Sequence, residues 1–554
     1  MREQPDRSDH AQVRDVILDR VIKYIASGGI PAFWIDQECI EQNDEEAKVV
    51  AMQSMDVIYR RSLYPIGMLS TPVQYQDEVD LLFALLKKDL VVWHSVSQVP
   101  QLAAEVDISK ARRLLDVLFR IMCDPWWTRR WIFQEEYCAM ARMQLLIPYL
   151  PGLSKVNGPR VFGTIDGELS INAALFRQQV TLFCMASHHR GIWRSKRDKW
   201  QCKLVLQRAK KYNMLQKYGW MVGDDSEGRA MSTRILADIS RRSSRISSDT
   251  LAIMANCCGY ATRLDVKSLN SAKLSSLSLA ILALFILNGE ILRPTVYGNF
   301  PGTVLEFLKE QSFQGFDPPK VDRKLTFLKR CRLSDVVMCE EGIQATGYLW
   351  TVCKVLKSES IIWPARQTAR NQDSLTQLVN WLHDSSYSEL ANNIEAYLAG
   401  EMPSNMESVG LREIFDSMAE RVAKAMEAHQ SLIIARLVGH DQNWALFVKN
   451  KRHNTSSLIF TSCEAAEDRF PEHRSRFLDK YVSLQVDESS RTDDALPRIQ
   501  IKSWINGLWF ADSVSPKAVI LPWPRFLSDY VHNCNPLSGG RQQFDSFGGK
   551  DVFA

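Results

Sequence analysis

Two short segments of the sequence carry the side chains best placed to do chemistry. Asp36 ends the apolar run AFWID (32–36), which is typical of a buried parallel strand. Arg129 begins a predicted helix that carries Glu135, and Trp131 lies four residues before Glu135 on the same helix face. Open α/β sheets bind their ligands at the carboxyl ends of parallel strands. Asp36 is therefore a candidate site residue on its position alone.

Each of these residues also has a structural interpretation. Asp36 could cap a turn, and Cys39, three residues later, could be a small buried hydrophobe. Glu135 could form an ion pair with an arginine and hold its helix in place, which at a surface contributes well under about 1 kcal/mol. The sequence alone leaves both interpretations open.

The pattern of residues 1–150 predicts an α/β domain, in which a parallel sheet is flanked by helices. AFWID is expected to be an interior strand, with Trp34 buried and Asp36 at the carboxyl edge of the sheet. The segment LLI before Pro148 is a second candidate strand. Helical periodicity predicts helices at 11–27, 44–61, 77–93, 107–123 and 128–142. Acidic residues open the 44–61 helix and arginines close it, which matches the helix dipole.

The rest of the chain divides where its composition changes. Residues 151–170 are rich in Gly, Pro and Ser and predict a boundary. A mainly helical middle region is expected at 171–300, a mixed α+β C-terminal region at 301–535 and a disordered tail at 536–554. Strands are predicted at 347–356, 432–439, 443–450 and 456–463, of which the last three would form an antiparallel meander.

Composition narrows the classes of function. The net charge of +4 is small for 554 residues, which argues against a dedicated nucleic-acid binder. The basic stretch 188–217 holds Trp193 and Trp200, and we interpret it as a solvated helix face with both tryptophans turned inward. Residues Leu274–Leu287 are apolar but too short for a membrane span, so we expect a buried helix.

The cysteines and the N-terminus favour a cytoplasmic protein. The 12 cysteines show no CxxC spacing, and the histidines are dispersed, so no metal site is expected. The polar start of the chain has no apolar signal-peptide core. Phosphate-binding loops and the common hydrolase motifs are missing from the sequence, and we expect no cofactor.

Two ordered blocks, 33–59 and 124–136, closely resemble the fungal heterokaryon-incompatibility (HET) domain. In that family a strand reading [YF]-x-W-I-D precedes C-I-[ND]-Q, an acidic turn and a helix with M-x-x-I-Y, and a later block reads aromatic-x-R-x-W-x-x-Q-E. The matching residues are Trp34, Ile35, Asp36, Cys39, Ile40, Gln42, Asp44, Met55, Ile58, Tyr59, Trp127, Arg129, Trp131, Gln134 and Glu135. Residues 248–265 and 276–292 resemble, more loosely, the middle region of some longer members.

This copy departs from the family pattern at two points. Glu41 stands where Asn or Asp is usual, and the family's opening strand, [LI]-S-Y-x-W-G, is not found. A truncated gene model and a degenerate domain would both explain the missing strand. A sheet without that member would expose an edge.

The resemblance implies a role in fungal non-self recognition. Residues 1–150 would promote programmed cell death or growth arrest. Residues 171–535 would regulate that response or bind a partner, which could be another protein or a second copy of this chain. Neither nucleic acid nor a membrane span is expected. A degenerate scaffold without activity is a further alternative.

The resemblance also implies an enzymatic alternative. The HET domain is remotely similar to the Toll/interleukin receptor-like fold, some members of which cleave NAD, and NAD enters only as the substrate of this alternative. Trp131 to Glu135 resembles the W-C-x-x-E helix of those enzymes, with Ile132 in place of the Cys. Glu135 would then engage the ribose hydroxyls and stabilise the oxocarbenium-like charge that develops as nicotinamide leaves. By the same resemblance Asp36 and Arg129 are its candidate catalytic neighbours, so the candidate catalytic residues are Asp36, Arg129 and Glu135.

Overall fold

The computed structural model describes residues 14–93, 99–139, 142–155, 158–209, 215–216, 219–220, 232–264, 277–290, 333–339, 341–357, 371–400, 418–449, 456–462, 483–490, 496–511 and 514–522. The chain forms two compact units. The first comprises Met1–Gly228 and Ala237–Gly259, and the second comprises Arg229–Leu236 and Tyr260–Ala554.

The first unit is mainly helical and contains short strands. Its helices are α1 (Asp15–Gly28), α2 (Asp36–Cys39), α3 (Glu45–Arg61), α4 (Gln76–Leu86), α5 (Ile108–Met122), α6 (Arg130–Ala139), α7 (Pro159–Phe162), α8 (Ala173–His189), α9 (Lys196–Ala209) and α11 (Asp249–Cys258), while α10 (Ser232–Ser240) has residues in both units. Its strands are β1 (Ile66–Met68), β2 (Val91–Trp93), β3 (Pro100–Leu102), β4 (Gln144–Pro148), β5 (Glu168–Asn172), β6 (Leu215–Gln216) and β7 (Gly219–Trp220).

A three-stranded sheet with the order β1-β4-β5 lies in this unit. Strand β1 is parallel to β4, and β5 is antiparallel to it, so that Leu145 pairs with Gly67 on one side and with Ile171 on the other. The predicted strand before Pro148 is therefore confirmed as β4. Fully buried side chains of α4, α5 and α8 contribute to the same core, among them Leu82, Leu118 and Phe176.

The prediction that AFWID forms an interior strand of a parallel sheet is wrong. Residues 32–35 are not part of any described strand. Phe33 is exposed, and Trp34, which was expected to be buried, is half-buried. The carbonyl of Ile35 accepts from the amides of Glu38 and Cys39, so α2 begins directly after the segment. Backbone groups need partners, and here a helical turn supplies them where a neighbouring strand does not. Asp36 accordingly opens α2 and does not lie at a sheet edge.

The other predicted helices of the first 150 residues are present with adjusted ends. α3 begins after Asp44, whose carboxylate accepts from the amides of Glu46 and Ala47. The helix predicted at 77–93 ends as α4 at Leu86, and Val91–Trp93 forms β2. One hydrophobic core runs from Leu69 to Ala209 and so continues through 151–170, where composition predicts a boundary. Residues 151–170 lie within the first compact unit.

The second unit holds the helices α12 (Leu277–Leu287), α13 (Asn371–Asp384), α14 (Ser388–Gly400) and α15 (Met418–Glu427). Its strands are β8 (Ser334–Cys339), β9 (Gly342–Leu356), β10 (Leu432–Leu437), β11 (Trp444–Val448), β12 (Leu458–Ser462), β13 (Ser483–Ser490), β14 (Arg498–Trp509) and β15 (Lys517–Pro522). Six of these strands pair antiparallel in a closed ring with the order β9-β10-β11-β14-β13-β12-β9. Strands β8 and β15 pair with β9 beside the ring.

Alternation of side chains gives the ring an inside and an outside. Ile433 of β10 packs with Trp350, Phe447 and Trp509 in one buried cluster, whereas Leu432 packs with α13, α14 and α15 in another. The helices thus cover the outside, and the aromatic cluster fills the ring. The predicted three-strand meander is wrong at its third member, because β11 pairs with β14 and β12 pairs with β13 and β9.

Three further expectations can be compared with the structure. Residues 277–287 form a buried helix as predicted, while 274–276 and the predicted tail 536–554 lie outside the described residues. Trp193 is buried, but Trp200 is 57% exposed, so only one of the two tryptophans turns inward. In the described part of the chain, no helix combines the length and the apolar character needed to cross a bilayer.

Candidate functional site

The turn that precedes the helix carrying Glu135 is fixed by Asp124. This carboxylate accepts from the amide and hydroxyl of Ser70 and of Thr71, each at 2.8 Å, and from the amide of Trp126 at 2.8 Å. Burial opposes ionisation of Asp124, but the bonds from Trp126, Thr71 and Ser70 together hold its pKa below the usual value. The turn Pro125–Thr128 and then α6 follow from this anchor.

Glu135 of α6 interacts with Asp36 of α2 and with Tyr59 of α3. Burial raises the pKa of Glu135 to about 7, and the nearby Asp36 carboxylate contributes to the rise. The Arg129 guanidinium and a hydrogen bond from Tyr59 act in the opposite direction. The structure thus brings Asp36 and Arg129 into electrostatic range of Glu135 and adds Tyr59, which donates a hydrogen bond to it.

Tyr59 forms the wall of this site together with Trp34. Burial raises the pKa of the Tyr59 hydroxyl well above its ordinary value, and the charges of Glu135 and Asp36 raise it further. Tyr59 therefore stays protonated and donates to Glu135. The Trp34 ring meets the Tyr59 ring edge to face, with 6.0 Å between centroids and 84° between planes.

This arrangement suits proton transfer. A carboxyl whose pKa lies near 7 is populated in both protonation states at neutral pH and can act as a general acid or base. Placing Asp36 beside Glu135 costs stability, because like charges oppose ionisation in a partly buried environment. Perturbed carboxyls of this kind are characteristic of functional sites.

Several motif residues, by contrast, have structural contacts that account for them. Gln42 donates from Nε2 to the carbonyls of Asp36 and Ile40, at 3.0 Å each, and so closes the loop after α2. The Ile35 residue caps α2, Met55 is buried, and Ile58 is half-buried. Cys39 is exposed, which corrects the expectation of a small buried hydrophobe.

The later motif block packs α6 against its neighbours. Trp127 is buried and donates from Nε1 to the Ile121 carbonyl at 2.9 Å. The Arg177 guanidinium lies over the Trp127 ring, 4.5 Å from the ring centroid. Trp131 donates from Nε1 to the Asp249 carboxylate at 3.0 Å, and Gln134 accepts from Asn256 at 3.1 Å. Both partners lie on α11.

Sequence reasoning missed two features of the site. It placed Tyr59 in a motif without a role, although Tyr59 lies four residues after the buried Met55, a spacing that directs both side chains toward one neighbour. It also missed the contact of α11 with α3 and α6, because nothing in a single sequence links Asn256 to Met52 and Gln134, which are 204 and 122 residues earlier. Among the described residues, no group of three or more His, Cys, Asp or Glu side chains is arranged to hold a metal ion.

One comparison with known proteins gives a match. The family model described as Heterokaryon incompatibility protein (HET) matches residues 6–135. The matched region includes Trp34, Asp36, Tyr59, Arg129 and Glu135 and ends before α11. No curated protein and no solved structure matches the chain.

Proposed function

Because residues 6–135 match the family model of the heterokaryon-incompatibility proteins, we propose that the protein acts in fungal non-self recognition. Its N-terminal domain would promote a growth-arrest or cell-death response after fusion of incompatible cells. The second unit would regulate that response or bind a protein partner.

The observation that supports the proposal most strongly is the convergence of motif residues on Glu135. Gln42, Met55 and Trp127 are accounted for by packing and backbone hydrogen bonds. The pair of Asp36 and Glu135 is not, because two neighbouring carboxylates at a partly buried site reduce stability. A feature that costs stability is better explained by function than by folding.

The test is controlled expression of the full chain in a filamentous fungus. Induction is expected to arrest growth and reduce viability, and Glu135→Gln is expected to abolish the effect at equal protein level. Glu105→Gln is the matched control, since Glu105 is exposed in the turn before α5. Growth arrest that persists in Glu135→Gln would remove Glu135 from the mechanism. A parent chain that never arrests growth would favour the scaffold alternative.

The same cluster supports a second candidate, cleavage of NAD. The bond between the ribose C1′ and the nicotinamide nitrogen would break, water would supply the new C1′–O bond, and the water proton would pass to the Glu135 carboxylate. Arg129 would bind phosphate, and Asp36 would stabilise the positive charge that develops on the ribose.

Incubation of the purified full chain with NAD tests this reaction. Released nicotinamide and ADP-ribose in equal amounts, both lost in Glu135→Gln and kept in Glu105→Gln, would support it. Growth arrest that depends on Glu135 while NAD stays intact would favour signalling without cleavage.

A further inference from the structure

Helix α11 lies outside the region that the family model matches, yet it contacts both helices of the site. Its residue Asn256 has no exposed surface. The Asn256 Nδ2 donates to the Met52 carbonyl of α3 at 2.8 Å and to the Gln134 Oε1 of α6 at 3.1 Å. The Arg60 Nη2 of α3 donates to the Asn256 carbonyl at 2.8 Å.

These contacts are adjacent in sequence to the two side chains that meet in the site. Arg60 follows Tyr59 on α3, and Gln134 precedes Glu135 on α6. The buried Asn256 amide is therefore a bridge between the helix of the tyrosine and the helix of the carboxyl. Asn256 lies outside the region that the family model matches, which ends at Glu135.

Other residues keep α11 on α6. The Arg130 Nη1 donates to the Thr250 hydroxyl at 2.8 Å, and the Trp131 Nε1 donates to the Asp249 carboxylate at 3.0 Å. Since these two bonds fix the start of α11 and Asn256 acts near its end, the helix is held along its whole length. Loss of the Asn256 side chain would thus leave α11 attached by its first turn and by the Arg60 bond to the Asn256 carbonyl.

We propose that Asn256 is a positioning residue of the site, which holds α3 and α6 at the separation that lets Tyr59 donate to Glu135. Asn256 touches neither a substrate nor Glu135 itself. It acts through Gln134 and the Met52 carbonyl, and the proposal rests on the proposed function only in treating this site as the functional one.

A positioning role and a merely structural role predict different titrations of Glu135. If the bridge sets the geometry of the site, its loss admits water between α3 and α6, and the burial that chiefly raises the pKa of Glu135 is reduced. If Asn256 only stabilises the unit, its loss lowers the melting temperature and leaves the Glu135 carboxyl in the same environment.

The experiment measures the Glu135 titration in the full chain labelled with ¹³C at the glutamate side-chain carboxyl. The Glu135 resonance is assigned by its absence in Glu135→Gln. Asn256→Leu keeps a similar volume, introduces no charge and removes both donated bonds. Its Glu135 pKa is expected to fall by about one unit or more, a tenfold change in proton affinity.

Asn288→Leu is the matched control. Asn288 lies just after α12 in the second unit and likewise donates to two carbonyls, of Thr262 at 3.0 Å and of Leu284 at 2.8 Å. This variant is expected to leave the Glu135 pKa at the parent value. A folded Asn256→Leu whose Glu135 pKa also equals that of the parent overturns the proposal.

Should Asn256→Leu fail to fold, Asn256→Ala is titrated under the same criterion, because the smaller side chain cannot clash. The titration needs no activity, so it can contradict the positioning role while Glu135-dependent growth arrest persists. Conversely, loss of the proposed function would leave the titration result standing.

Discussion

Glu135 gives the first unit an unusual dependence of stability on pH. Its pKa rises on folding from 4.5 to about 7, so the folded chain binds this proton more tightly than the unfolded chain. Stability therefore falls as the pH rises from about 4.5 to about 7, and the full penalty, on the order of 3 kcal/mol, applies above that range.

Glu135→Gln is accordingly expected to be more stable than the parent at pH 8, because the amide resembles the protonated carboxyl and carries no charge to bury. The difference should shrink toward pH 5, where the parent carboxyl is protonated in the folded state. Urea unfolding of the first unit at both pH values measures it. Glu105→Gln should have the same free energy of unfolding as the parent at each pH. If Glu135→Gln differs from the parent by the same amount at pH 5 and pH 8, the raised pKa is contradicted.

Asp124 contributes stability of the opposite pH dependence. Its pKa is lowered on folding, so its contribution is present above the usual carboxyl pKa and is lost as the pH falls through the lower folded value. Asp124→Ala leaves the amides of Ser70, Thr71 and Trp126 without this acceptor and should cost on the order of 3 kcal/mol. Urea unfolding at pH 7 measures the loss, and a change within about 0.5 kcal/mol would show that water replaces the carboxylate.

Sequence reasoning reached the nominated side chains of the site but not their geometry. Asp36, Arg129 and Glu135 are predicted from two motif blocks and from the Trp131–Glu135 spacing, and the structure places the charges of Asp36 and Arg129 near Glu135. The assumed reason for Asp36 was wrong, since it opens α2 and does not end a strand. Asn256 could not be found, because its partners Met52 and Gln134 are 204 and 122 residues away in sequence.

Helix α6 is joined to α8 by a buried ion pair that lies one residue beyond Glu135. Arg177 donates from Nε and Nη2 to the two carboxylate oxygens of Glu136, the second at 2.6 Å, and both side chains are nearly inaccessible. The other guanidinium nitrogen donates to the carbonyl of Ala209 at 3.1 Å. The pair therefore connects α6, α8 and the end of α9.

Arg177→Met should destabilise the first unit by about 3–5 kcal/mol, because it leaves the Glu136 charge buried and unpaired. Adding Glu136→Leu should recover a large part of that loss. Arg113→Met is the control, since its bond to Asp77 lies at the surface and contributes less than about 1 kcal/mol. Denaturant unfolding of the three variants measures these effects. If Arg177→Met is as stable as the double variant, no buried charge remains at Glu136.

At the level of elements, the long amphipathic helices of the first unit were predictable, whereas its short strands other than β4 were not. α3 and α5 follow their apolar spacing and begin after the capping residues Asp44 and Asp107. AFWID has the composition of a buried strand, but strand formation depends on a neighbour that periodicity does not report. Because strand pairing depends on residues that are distant in sequence, the local pattern does not decide whether a segment becomes a strand.

Long-range pairing also decides the architecture of the second unit. Its strands close a ring, whereas the local sequence pattern predicts a meander. The ring is filled by Trp350, which is fully buried, donates from Nε1 to the Thr461 hydroxyl at 3.2 Å and lies 6.1 Å from Trp509 between ring centroids. Strands β10 and β11 are adjacent in sequence and pair, whereas β13 and β14 stand between β11 and β12 in the ring.

Trp350→Ala should destabilise the second unit by about 3–5 kcal/mol, because it opens a cavity among aromatic rings. Trp350→Phe should cost much less, since most of the buried area remains. Hydrogen exchange of β10–β14 measures both, with Val355→Ala on the exposed end of β9 as the control. Exchange as slow in Trp350→Ala as in the parent would show that this side chain does not hold the ring.

During synthesis, the ring cannot close until its last strand, β14, has been made. Strand β9 ends at Leu356 and β14 begins at Arg498, so 141 residues separate two strands of the same ring. At roughly 5–20 residues per second, ribosomes need on the order of 10–30 s to complete that interval. For that period β9 has been made while the strands that complete the ring have not, and its free edge can pair with a neighbouring nascent chain. Slower elongation before Arg498 should therefore increase the aggregated fraction of the protein without changing any of its residues.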